Sequence, residues 1–409
     1  MPKIGESAMT AEIMEQADRV IAKTYKRFPV VLAKGSGCTL YDTEGRGYTD
    51  FVAGIAVCNL GHSHEGVVKA VSNQAQTLTH VSNLYYTIPQ VELAAWLVQQ
   101  SFADRVFFCN SGAEANEAAI KLARKYYNER GESNRFRIIT MENSFHGRTM
   151  ATLSATGQDK IKKGFDPVLE GFDYVPFNDI NALQSKIDSH TCAVMLEPIQ
   201  GEGGVRCPDA GYLKAVRQIC DDRGVLLIFD EIQTGMGRTG RLFAYEHFEV
   251  EPDIMTLAKA LANGLPIGAM LAREQVAEAF GPGAHATTFG GTPLVTAAAF
   301  EVCKTLVQGN VINQGREAGA YFKEKLLWLK ERHDVVVDIR GLGLLLGIKL
   351  AINGESLVNQ CLQRGFLINC IQENILRFVP PLIVKNEEID ALIKCLDELL
   401  QDLSVPEKS

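Results

Sequence analysis

Between residues 65 and 300 the chain alternates short apolar, β-prone runs with stretches of helical periodicity. The runs fall at 106–109, 137–141, 192–197, 225–230, 254–257 and 267–271. They carry almost no polar alternation, as expected of strands covered by helices on both faces. The pattern predicts an α/β fold, a mostly parallel sheet flanked by helices. In such sheets ligands gather beyond the carboxyl ends of the strands. The residues that follow each run are therefore where chemistry is sought.

The flanking segments have a different texture. Ile13, Met14, Ala17, Val20, Ile21 and Tyr25 recur at helical spacing over 11–27, and Pro29 stops the pattern. From 30 to 57 short β-rich runs alternate with Gly-Ser-Gly at 35–37 and Thr-Glu-Gly-Arg-Gly at 43–47, the signature of an antiparallel meander. Beyond residue 300 the spacing predicts a helix over 306–330, strands near 335–339 and 344–350, and a final helix over 387–403. The last has Ile389, Leu392, Ile393, Leu396, Leu399 and Leu400 on one face. The expected division is an N-terminal helix and meander over 1–60 that joins the small domain, a large domain over 61–300, and a smaller α+β domain over 301–409.

Composition narrows the function classes. Lys plus Arg total 41 against 49 Asp plus Glu, a formal charge of −8, which argues against a nucleic-acid partner. With 46% hydrophobic and 22% charged residues, the chain is globular in composition and not disordered. No apolar stretch approaches the ~18 residues of a membrane helix; the run at 342–348 is cut by glycines and meets Lys349. Residues 1–16 mix Lys3, Glu6, Glu12 and Glu15 and have neither a secretory apolar core nor an Arg-rich transit pattern, so cytoplasmic residence is expected. Ten cysteines without a C-x-x-C pair read as reduced, mostly buried small hydrophobes.

Four strand-end loops carry the chemistry. The apolar run 225–230 ends in Asp230, a carboxylate at the mouth of the sheet. Just past the next run, Lys259 stands among Leu257, Ala258, Ala260 and Leu261, where desolvation would favour a nucleophilic amine. Upstream, Ser111 and Glu114 fit a capping box at the start of a helix over 115–129, and the helix N-terminus at Ser111, Gly112 and Ala113 suits a phosphate. Phe145, His146 and Arg148 offer a flat ring, an imidazole and a guanidinium after the run at 137–141. A phosphate cradle, an aromatic face, a strand-end carboxylate and a lysine together meet the requirements of pyridoxal 5'-phosphate: the carboxylate keeps the pyridine nitrogen protonated and the lysine forms the Schiff base.

At this point the chain resembles a known family, the class III, fold-type-I aminotransferases, and within them the acetylornithine group. The motifs that carry the resemblance are Asp50-Phe51-Val52-Ala53-Gly54-Ile55-Ala56-Val57, Asn110-Ser111-Gly112-Ala113-Glu114-Ala115-Asn116-Glu117, Phe145-His146-Gly147-Arg148 and Glu197-Pro198-Ile199-Gln200-Gly201-Glu202. They continue with Phe229-Asp230-Glu231-Ile232-Gln233-Thr234-Gly235, Ala258-Lys259-Ala260-Leu261, Thr287-Thr288-Phe289-Gly290-Gly291 and Arg377-Phe378-Val379-Pro380-Pro381. The resemblance implies a seven-stranded sheet, pyridoxal 5'-phosphate, and a homodimer with shared active sites. It implies Lys259 as the cofactor-linked lysine and general base, and Asp230 on the pyridine nitrogen. Gln233 would bond the ring hydroxyl oxygen, Ser111, Gly112 and Ala113 would hold the phosphate with Thr288 of the other subunit, and Phe145 would stack on the ring. Arg148 and Thr287 would meet substrate. Glu202 and Arg377 resemble the family's switch pair: a second arginine is needed only when a dicarboxylate is bound, and a glutamate that swings aside covers it otherwise. The implied reaction moves the terminal amine of N-acetyl-L-ornithine to 2-oxoglutarate, giving N-acetyl-L-glutamate 5-semialdehyde and L-glutamate, in arginine biosynthesis.

Other readings compete. Ornithine, succinylornithine and 4-aminobutyrate aminotransferases share these motifs. A tyrosine near Ile55 is expected where the free α-amine of ornithine is bound, and Tyr85 or Tyr86 could line the tail pocket. Gly235-x-Gly237-x-x-Gly240 matches a dinucleotide fingerprint, which would make an NAD-dependent oxidoreductase, but it begins five residues past the strand end and leads to no long helix. His62-Ser63-His64 lacks an H-E-x-x-H or cysteine partner, so no metal is expected.

Overall fold

The computed structural model describes residues 8–401. Its central sheet has seven strands in the order Arg105–Cys109, Gly268–Ala272, Ile254–Leu257, Leu226–Asp230, Thr191–Leu196, Arg137–Met141, Phe172–Val175. The last five pair in parallel. Gly268–Ala272 runs antiparallel to both of its neighbours. Every residue of Thr191–Leu196, Leu226–Asp230, Ile254–Leu257 and Gly268–Ala272 is buried, which accounts for their unbroken apolar composition. The edge strand Phe172–Val175 escapes the sequence pattern because Asp173 and Tyr174 are only half-buried there.

Helix Gly112–Asn128 lies on this sheet and buries Ala115, Asn116, Ala118, Ala119, Ile120, Leu122 and Ala123. Small residues let it approach closely, so its N-terminus stands at the sheet's carboxyl edge. The single helix expected over 306–330 is instead two, Pro293–Gln308 and Val311–Arg332. Gly309 and Asn310 divide them, and Asn310 takes a left-handed φ of 58° that an α-helix cannot continue through.

The N-terminal helix is Ala8–Val20, shorter than the 11–27 expected. Thr10 is its one buried residue, while Ile21 and Tyr25 beyond it are exposed. An apolar stripe without a covering surface in the chain gives little support to further turns. The meander is present as Leu32–Ser36, Thr39–Asp42 and Gly47–Asp50, and its third strand pairs in parallel with Phe366–Leu367. A further antiparallel sheet joins Val336–Leu342, Leu345–Leu350, Ile375–Phe378 and Asn369–Ile371. Helix Asn386–Gln401 buries all six residues assigned to its apolar face; Leu403 lies outside the described residues. No helix among the described residues is long and apolar enough to cross a membrane. All ten cysteines are free thiols, with Cys58, Cys207 and Cys370 half-buried and the rest buried.

Candidate active site

A cavity of about 450 Å³ opens at the carboxyl ends of the parallel strands. The strand Leu226–Asp230 delivers Asp230 to its wall, 3% exposed. Its Oδ2 accepts from Asn116 Nδ2 at 2.8 Å and lies 2.8 Å from His146 Nδ1, and its Oδ1 accepts from Ile232 N at 3.1 Å. Asn116 also donates to His146 O at 2.7 Å and accepts from Thr256 Oγ1 at 2.7 Å. Helix, loop and strand thus converge to hold one carboxylate. The sequence marks His146 only as an imidazole in a strand-end loop and Asn116 only as part of a motif; that both hold Asp230 is decided by the fold.

Lys259 opens a short 3₁₀ turn, Lys259–Ala262, directly after the strand Ile254–Leu257. Its φ of +43° is left-handed, a conformation costing about 1–2 kcal/mol in a non-glycine residue and kept only where the surroundings impose it. Burial pushes the ammonium below its ordinary pKa. Arg377 pushes the same way, against the pull of Glu202, Asp230 and Glu197.

At the helix N-terminus Ser111 Oγ accepts from Glu114 N at 3.2 Å. The Glu114 carboxylate reaches past the cap and accepts from Asn110 N at 2.6 Å, so the expected capping box is only half formed. Gly112 and Ala113 line the cavity, and their N–H groups have no carbonyl within the helix to receive them. A side chain at Gly112 would put its Cβ 2.8 Å from Ile232 Cδ1. Phe145 lines the opposite loop, and the Arg148 guanidinium lies 5.7 Å from its ring centre.

Arg377, 1% exposed, donates from Nη1 to Glu202 Oε1 and, at 3.3 Å, to Gln233 Oε1. Burial alone would raise the Glu202 pKa, but Arg377 and Lys259 hold it below the ordinary carboxylate value. Glu202 is therefore the charged partner of Arg377. Gly201 is required beside it, because a Cβ there would fall 2.0 Å from Gln233 Oε1.

The cavity wall thus unites Ser111, Gly112, Ala113, Phe145, Arg148, Glu202, Asp230, Gln233 and Lys259. Arg377 reaches it through Glu202 and Gln233. Neither Thr287 nor Thr288 is in the wall formed by this chain; Thr287 Oγ1 accepts from Asn110 Nδ2, a wall residue, at 3.1 Å. Tyr85 and Tyr86 are 67% and 98% exposed and do not line it. Gly237 and Gly240 sit in a turn with left-handed φ, followed only by the short helix Tyr245–Phe248, so that segment lacks the helix a dinucleotide fingerprint requires. His62 lies 2.7 Å from Asp50, and His64 caps the helix Glu65–Thr77. Glu197, also in the wall, was read only as part of a motif.

Residues 20–400 match the family Aminotransferase class-III. The chain belongs to this family. It is 53% identical to the acetylornithine aminotransferase of Methanocaldococcus jannaschii over 93% of this chain and 95% of that one. It is 52% identical to the acetylornithine aminotransferase of Caldanaerobacter subterraneus over 94% and 98%. Among solved structures it superposes on the ornithine aminotransferase of Toxoplasma gondii with a TM-score of 0.93 at 34% identity, covering 96% and 95% of the two chains. For the acetylornithine aminotransferase of Elizabethkingia anophelis the TM-score is 0.86 at 32% identity, covering 96% and 99%. This class-III aminotransferase therefore has the fold-type-I architecture and catalyses transamination.

Membership implies pyridoxal 5'-phosphate, and the donor set fits it. The cavity lies within the ~300–1,000 Å³ usual for cofactor-sized ligands. It offers open helix N–H groups for a phosphate, a buried carboxylate for a pyridinium, an aromatic face and an amine of lowered pKa.

Proposed function

We propose that this enzyme transfers the terminal amine of N-acetyl-L-ornithine to 2-oxoglutarate, with Lys259, Asp230, Arg148 and the Glu202–Arg377 pair as its working groups. The observation that carries the reading is the convergence of these residues on one cavity, with Arg377 already neutralised by Glu202. When bound, pyridoxal 5'-phosphate supplies the electron sink for the charge left when a carbon–hydrogen bond ionises.

The chain's residues do the rest. Ser111, Gly112 and Ala113 hold the phosphate, Phe145 covers the ring, Gln233 bonds the ring hydroxyl oxygen, and Asp230 holds the proton on the pyridine nitrogen. Lys259 Nζ, its pKa lowered by burial, takes the proton from the carbon bearing the amine and returns it on the other side of the transfer. Arg148 binds the α-carboxylate of the donor by a bidentate contact. Arg377, covered by Glu202 while the amino donor is bound, is released when the second carboxylate of 2-oxoglutarate arrives. An arginine left bare while buried behind that wall would carry a desolvation cost of several kcal/mol, which is why the glutamate partner is present. Ile55, on a left-handed turn next to Val57 of the cavity wall, has no hydroxyl to offer a free α-amine, which favours an acylated donor. By this reading the enzyme serves arginine biosynthesis in the cytoplasm.

The test is single-turnover bleaching of the cofactor absorbance with N-acetylornithine, ornithine, succinylornithine and 4-aminobutyrate in parallel. Fastest reaction with N-acetylornithine is expected. Faster reaction with any other donor moves the substrate assignment.

The active enzyme is a homodimer in this reading, with Thr287 and Thr288 closing the partner's site. Beside them Leu84, Tyr86, Ile88 and Phe289 are 82%, 98%, 75% and 61% exposed, a concentration of bare apolar surface that calls for a covering chain. Light scattering should give twice the 44.9 kDa chain mass. A monomer with full activity would contradict the shared site.

A further inference from the structure

Glu197 has no part in the steps above, yet it is 5% exposed and in the cavity wall. It follows directly on the buried strand Thr191–Leu196. Both of its oxygens are engaged by backbone: Oε2 accepts from Phe145 N at 3.2 Å and Oε1 from Gly201 N at 3.1 Å. The two amides belong to different loops. One loop carries Phe145 and Arg148, and the other carries Glu202, the partner of Arg377.

We propose that Glu197 is a positioning residue that ties these two loops together and so sets the separation between Arg148 and the Glu202–Arg377 pair. The inference rests on the reading of Arg148 and Arg377 as the carboxylate-binding groups. The physical case is one of span and satisfaction. A buried carboxylate is costly unless its lone pairs are used. Here each oxygen accepts one backbone amide, Phe145 N from the neighbouring loop and Gly201 N from the loop that Glu197 itself begins. An apolar residue would fill the same space while leaving two amides unpaired, at about 1–3 kcal/mol each. Glu197 itself touches no group assigned to substrate, and it acts through the loops it joins.

Burial raises the Glu197 pKa, as does Asp230, while His146 and the two amides lower it; the balance is about 7. The charged and titratable groups around it are His146 and Arg148 on one loop, Asp230 at its strand end, Lys259 on the 3₁₀ turn, Glu202 on its own loop, and Arg377 on Ile375–Phe378. On protonation one oxygen becomes a hydroxyl and a poorer acceptor for an amide. The tie then loosens on that side. Substrate affinity should therefore fall as pH drops through about 7.

The experiment compares the holoenzyme with Glu197→Gln and Arg148→Ala, using N-acetyl-L-ornithine and 2-oxoglutarate between about pH 6 and 8.5. Glutamine accepts at one end and presents an N–H at the other, so one amide is left facing a donor. In Glu197→Gln the cofactor absorbance should be retained. KM for both substrates should rise at least about fivefold with kcat within about twofold, and the wild-type rise of KM below pH 7 should vanish. Unchanged KM values, or a fall in kcat with KM intact, overturn the proposal. If Glu197→Gln does not fold, Glu197→Asp, which keeps the charge but shortens the reach to the two amides, takes its place: KM should rise with the cofactor absorbance retained, and unchanged KM values overturn the tie. Arg148→Ala separates two failures. Raised KM there with a silent Glu197→Gln sinks only the tie, whereas both silent sinks the underlying site reading as well.

Discussion

Replacing Lys259 by alanine should reduce steady-state transamination by at least roughly 10⁴-fold, the upper range for loss of a general base, while the fold and cofactor binding survive. The side chain is placed by the 3₁₀ turn Lys259–Ala262 and not by a hydrogen-bond network of its own, so its removal leaves the surrounding scaffold intact. The helix N-terminus, Phe145 and Asp230 remain to hold the cofactor. Borohydride reduction of the wild-type holoenzyme followed by peptide mapping should place the cofactor on Lys259, and no other lysine should be labelled in the variant. Substantial turnover by Lys259→Ala, or labelling elsewhere, would sink the assignment. Burial and Arg377 lower the lysine pKa. A larger share of Nζ is therefore unprotonated near neutral pH than for a surface lysine, as a proton acceptor requires.

Changing Asp230 to asparagine should lower kcat by roughly 10²- to 10³-fold at least, with weaker cofactor retention. Removing one partner of a buried charge pair costs about 3–5 kcal/mol, and each 1.36 kcal/mol in a barrier is about tenfold in rate. The substitution is nearly isosteric, but Asp230 accepts from Asn116 and Ile232 and adjoins His146. An amide can accept only at its oxygen, so one of these contacts is lost too. Rapid-scan absorbance with the amino donor separates the two effects, since a slowed proton step with the cofactor still bound identifies the charge. Turnover within about threefold of wild type would show that the carboxylate does not sustain the electron sink.

How much was legible beforehand varies along the chain. The strand ends at Asp230 and just before Lys259 are readable because apolar runs and the polar residue that stops them lie within one local window. The final helix is readable for the same reason, with all six stripe residues buried. Where the chain lacks a covering surface, as beyond Val20, periodicity overstates the helix. Where a left-handed residue intervenes, as at Asn310, periodicity runs straight through a break. The strand Phe172–Val175 is invisible for the opposite reason: at a sheet edge its polar residues need not be buried.

Local composition and periodicity determine the strand–helix alternation, the placement of chemistry at strand ends and, through the quoted motifs, the class of cofactor. Tertiary structure alone decides that Gly268–Ala272 runs antiparallel between Arg105–Cys109 and Ile254–Leu257. It alone brings Arg377 to Glu202 across 175 residues, and the Phe145 amide to Glu197 across 52. The physical reason is range. Propensity and periodicity act over about a dozen residues, whereas strand order and the closure of loops on one buried carboxylate depend on how the whole sheet covers its apolar faces and satisfies its buried amides.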